Sequence, residues 1–136
     1  MIKSLAKEDL VRINQRLAEP LEGKRIEEGV FLRENALDYL LEMVDSDMLG
    51  NPLYPEVHQK AGVYLFNIIC DFVFTERNLP TAFGVTLYFL KQNGYRFKPS
   101  MDHSELAAFI QQIAAGHLSL KEVQLWLKQS IEATKL

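Results

Sequence analysis

The chain has 136 residues, a formal net charge of −3, 48% apolar residues and 24% charged ones. That is enough for one domain over 1–136, and a domain of this size buries roughly 68% of its unfolded surface. Acids and bases are interspersed, so no basic face for nucleic acid and no acidic tail stands out, while the single Cys70 excludes an internal disulfide and a cysteine metal cluster. No signal-like segment opens the chain, and its longest apolar run carries Asn67 and Asp71 and is too short for a bilayer. The expectation is a cytoplasmic protein with no membrane contact.

The first helix is predicted over Ala6 to Ala18. Leu10, Ile13 and Leu17 recur at helical spacing, with Val11 and Asn14 beside them. Glu8 and Asp9 suit the first turn, and Pro20 is expected to stop the helix. Leu21 to Leu32 is the least regular stretch, with Gly23 and Gly29 around Lys24-Arg25-Ile26-Glu27-Glu28. It reads as a loop or short hairpin. Asn35 is expected to cap a second helix whose buried stripe is Leu37, Leu40, Leu41 and Val44. Asp45, Ser46, Asp47, Gly50, Asn51 and Pro52 follow as a turn-rich loop. Asp45 and Asp47 lack the further acids and closing Glu of a calcium loop.

Pro55 starts a long third helix, with His58 and Lys60 expected in exposed first turns and core from Ala61 onward. An apolar surface on nearly every side places a helix in the middle of a domain. Asn67 and Asp71 share one face and need partners there. Cys70 reads as a small buried hydrophobe. The fourth helix is predicted from Pro80 to Gln92, with Phe83, Leu87 and Leu90 inward, widened by Val85, Tyr88 and Phe89. Gly84 suggests close packing on the third helix, and Asn93-Gly94 closes the segment. A stub of strand is expected at Tyr95-Arg96-Phe97. Asp102 and Glu105 introduce a fifth helix that ends at Gly116; Ser119 and Glu122 introduce a sixth, with Leu120, Val123, Leu127 and Ile131 inward and Trp126 beside them. The fold class is all-α, a compact bundle of about six helices. Tyr54 and Trp126 are candidate contacts for a homo-oligomer. His58, His103 and His117 have no second His or Cys at ligand spacing, so a zinc site is not expected.

The two apolar helices are joined by Phe72-Val73-Phe74-Thr75-Glu76-Arg77-Asn78-Leu79-Pro80-Thr81. A helix start facing a short polar loop can hold an anion, because free N–H groups and the dipole both favour negative charge. Asn78 and Thr81 also read as nothing more than helix caps. From Lys60 to Phe97 the sequence resembles, without a gap, the death-on-curing (Doc) branch of the Fic proteins. The family motif is His-Pro-Phe-x-Asp/Glu-Gly-Asn-Gly/Lys-Arg-Thr. Counted through this chain, the catalytic His position holds Phe72, the Phe is Phe74 and the metal-binding acid is Glu76. The first loop glycine is Arg77, the anion-hole Asn is Asn78, the next position is Leu79, the phosphate-binding Arg is Pro80 and the Thr is Thr81. The run Leu87-Tyr88-Phe89-Leu90-Lys91-Gln92-Asn93-Gly94-Tyr95 is typical of the same branch.

The resemblance implies a Fic/Doc bundle with a target-pairing flap in the Lys24 to Phe31 region. It also implies a nucleotide site for ATP or a related nucleotide with Mg2+, and a protein partner, either an antitoxin or a target. Family members transfer AMP or phosphate onto protein hydroxyls. Phe72 has no titratable nitrogen, and base catalysis is typically worth ~10²–10⁴-fold. Pro80 supplies no cation, which removes charge stabilisation as well. The remnant is Asn78, Arg77 and Thr81 for an anion, with Glu76 for a metal. Phe72 is expected to fill the space of the missing His and close the pocket. Asp71 is the other carboxylate near the loop, turned about 100° away from that position. Three readings stay open: a degenerate Doc-type protein that binds a partner in a toxin–antitoxin-like or regulatory role, a nucleotide-dependent transferase with altered chemistry, and a plain helical interaction domain.

Overall fold

A computed structural model describes residues 2–22 and 31–134, with backbone alone at 18–22. Its elements in chain order are α1 (Lys7–Glu22), α2 (Glu34–Val44), β1 (Asp47–Met48), β2 (Asn51–Pro52), α3 (Val57–Cys70), α4 (Asn78–Gln92), β3 (Tyr95–Phe97), α5 (His103–Ala114), α6 (Leu120–Ser130) and β4 (Ile131–Ala133). Among the described residues the architecture is an all-α bundle with short strand pairs beside it. Among the described residues no helix is long and apolar enough to cross a membrane.

The near-uniform apolar surface of α3 sets the layout. It packs against α2, α4, α5 and α6. Ala61, Val63, Tyr64, Leu65 and Ile68 are almost wholly buried on it. Phe89 and Leu90 from α4 and Val123 and Leu127 from α6 complete that core, and Leu10 of α1 joins it. Glycine permits the α3–α6 seam. A Cβ on Gly62 would stand 2.5 Å from Cγ of Gln124 and 3.4 Å from its Cα. Gln124 is itself fixed, donating through Nε2 to the Gln59 carbonyl at 2.9 Å. Gly62→Ala should therefore destabilise despite alanine's helix preference. Overpacking costs about 1–3 kcal/mol against about 1 kcal/mol of propensity gained. Urea denaturation read by circular dichroism gives the sign.

Several local expectations change. The first helix runs through Pro20 to Glu22. Proline's fixed φ is helical, and so near the helix end its missing N–H removes a single bond. Asn35 is not a cap: α2 starts at Glu34 with Arg33 as N-cap and no side-chain cap bond. The start is set instead by backbone, since Leu32 and Arg33 both donate to the Val73 carbonyl at 3.0 Å. Lys60 is buried, donating to the Val44 carbonyl at 2.7 Å and lying 3.3 Å from Asp45. A cation at the open carbonyl end of α2 is favoured by the helix dipole. Gly84 meets Ile13 of α1 at 3.1 Å for an added Cβ, so its close neighbour is α1 rather than α3. Trp126 is no free patch: it stacks on Phe109 at 3.8 Å and 11° and touches Phe97.

The turn-rich loop after α2 forms a two-residue hairpin, β1–β2, turning at Leu49 and Gly50 with φ of 53° and 84°. The strand stub at Tyr95 to Phe97 is real and pairs antiparallel with β4, Tyr95 opposite Ala133 and Phe97 opposite Ile131. Arg96 and Glu132 form a 2.8 Å ion pair across it. The Ser119–Glu122 capping box of α6 is formed in both directions, and the Asp102 carboxylate caps α5 by accepting from Ser104 N–H at 3.0 Å. These bonds hold both carboxyls, Asp102 and Glu122, below their ordinary range. Gly116, at φ 80°, closes α5.

Candidate functional site

The α3–α4 loop is built on buried aromatics. Helix α3 ends at Cys70, and Asp71 closes it by donating its N–H to the Asn67 carbonyl at 2.9 Å. Phe72 follows with φ 47°, a left-handed conformation that a bulky side chain rarely adopts. It lies past the end of α3 and outside that helix's apolar surface. Its side chain is 55% exposed, so it does not fill a pocket or close the site into core. Phe74 is completely buried and stacks on Phe31 at 5.7 Å. The two residues also form an isolated antiparallel bridge. The flap expected over Lys24 to Phe31 lies outside the described residues except for Phe31, which is pinned to this loop.

Asn78 holds the turn closed. Its Oδ1 accepts from Phe74 N–H and its Nδ2 donates to the Phe74 carbonyl, both at 2.9 Å. One side-chain amide thus serves both backbone groups of a buried residue. Asn78 is not a cap on α4: it is the first helical residue, and Arg77 is the N-cap, with no side-chain cap bond. Pro80 sits in the first turn, ahead of the first intrahelical bond from Thr81 N–H to the Arg77 carbonyl, so its missing donor leaves no gap. Thr81 is fully buried and does not cap either. Its Oγ1 accepts from Nδ2 of Asn14 at 3.0 Å, and the same nitrogen donates to the Glu76 carbonyl at 3.1 Å.

Arg77 keeps a glycine-like backbone, φ 62° and ψ 35°. Its side chain is three-quarters buried, and its Nε is the buried polar side-chain atom without a hydrogen-bond partner among the described residues. Glu76 Oε1 stands 4.0 Å away on a half-exposed side chain. No three His, Cys, Asp or Glu side chains cluster among the described residues. Glu76 alone does not make a resident metal site. It suits a magnesium ion only where nucleotide phosphates bring the remaining oxygens. Burial pushes the half-buried Asp71 carboxyl up, opposed by the positive charge of Arg33.

The structure therefore brings Phe74, Glu76, Arg77, Asn78 and Thr81 together around one turn. Sequence reasoning missed Asn14 as its anchor. The signal was there: Asn14 lies four residues after Leu10, within the buried stripe, where a polar side chain must find a partner. Phe31 gave no such signal. No family model matches the chain, and no curated protein matches it.

Proposed function

We propose that this chain is a Doc-type Fic fold that has lost group transfer and acts by binding a protein partner in a toxin–antitoxin-like or regulatory role. The observation that carries the reading is Phe72. It stands where the family has its catalytic base, carries no proton acceptor, and presents a 55% exposed ring at the mouth of the loop. Leu32, whose N–H bonds the neighbouring Val73, is 60% exposed as well. Two exposed apolar side chains thus flank the Phe31–Phe74 bridge, which suits a protein surface better than a phosphate. The left-handed backbone at Arg77 supports the family likeness, because that is the glycine position of the motif.

A second reading, a nucleotide-dependent site with altered chemistry, rests on the unpartnered Nε of Arg77 beside Glu76. Calorimetric titration with ATP and magnesium separates the two. The native protein is expected to give no heat, and Phe72→His/Pro80→Arg to bind. Magnesium-dependent binding by the native protein, lost in Glu76→Ala, would establish the second reading instead. No heat from either protein would favour a plain interaction domain.

A further inference from the structure

The β1–β2 hairpin ends in two apolar side chains that the described residues leave largely uncovered. Met48 is 64% exposed and Leu49 is 96% exposed. Both turn residues are left-handed, an arrangement that favours Asn or Gly at the first of them. Leucine is a poor choice there for the monomer's backbone. A few residues on, Leu53 opens a groove of about 490 Å³ whose lining includes Tyr54, Leu120, Lys121, Gln124 and Leu125. Leu53 and Leu125 leave much of their surface in water. Asp47 on the hairpin and Lys121 on the groove carry opposite charges, and neither makes an ion pair among the described residues.

We propose that the hairpin tip of one copy of this chain seats in the groove of a second copy. Met48 and Leu49 fill the groove against Leu53 and Leu125, and Asp47 meets Lys121. The projection stands on the β1–β2 hairpin, and the groove lies between Leu53 and residues of α3 and α6; in a two-fold dimer each hairpin seats in the other copy's groove, so both contacts form together. The charge pairing selects a second copy of the chain over an arbitrary apolar partner, and sets the register of the contact.

Sedimentation equilibrium of the full chain over a wide concentration range tests it. The native protein should reach the mass of two chains and stop there. Leu49→Gly suits the left-handed turn better than leucine, so it keeps the fold while removing the projection. It should raise the dimer dissociation constant about tenfold or more. Leu125→Lys should do the same from the groove side. Asp47→Lys and Lys121→Asp should each weaken the dimer, and the double variant should recover it. A native protein that stays monomeric, a mass that grows without limit, or a Leu49→Gly dimer as tight as the native one would each overturn the proposal. So would a double charge reversal that recovers nothing.

Discussion

Replacing Phe74 with alanine should cost about 3–5 kcal/mol, the range for removing a fully buried aromatic side chain. The ring has no exposed surface and stacks on Phe31. The loss should be uneven as well as large. The Phe31–Phe74 bridge and the two bonds into the Val73 carbonyl from Leu32 and Arg33 depend on the backbone at this point. Amide exchange at Leu32 and Arg33 should accelerate beyond the global loss of stability. Denaturant unfolding gives the first quantity and native-state exchange the second. Phe74→Leu should recover much of the stability but not the protection of those amides.

Asn78→Ala should cost about 2–6 kcal/mol, because it strands two buried groups and each unsatisfied one costs about 1–3 kcal/mol. Phe74 is wholly buried, so water does not replace the lost partners. Asn78→Asp is the sharper variant. It keeps an acceptor for the Phe74 N–H but turns a second oxygen toward the Phe74 carbonyl. It should therefore fail to rescue, although it is nearly isosteric. An aspartate variant as stable as the native protein would show that the Asn78 Nδ2 bond contributes nothing. Thermal unfolding of the three proteins side by side decides.

The helices were readable because their signal is repetitive. Leu10, Leu37, Leu40, Val123 and Leu127 recur at the spacing that one buried face demands, and all are buried. Boundaries set by side-chain capping were readable too, as at Ser119 and Asp102. Boundaries set by distant backbone were not. The start of α2 is fixed by Val73, about forty positions away in sequence, and nothing near Asn35 announces it. Lys60 reads as exposed in the sequence because a lysine normally favours water; its burial depends on an open carbonyl that only the folded α2 provides. At the candidate site the residue set was legible as a cluster, since it is contiguous. Its internal bonding was not. Asn78 and Thr81 are both typical cap residues, and both are engaged by partners that the local sequence does not reveal.

The seam between α3 and α6 has a consequence for how the molecule is made. The central helix receives part of its cover from Gln124, Val123 and Leu127, and β4 then pairs back onto β3. During synthesis those segments emerge well after α3 itself. A nascent chain that has released α3 but not α6 carries a bare apolar helix with no partner on that side. Its closing step is long-range and comes late, so the interval before closure is when this protein is most exposed to aggregation. A chaperone acting on the nascent chain would find its clearest target in α3.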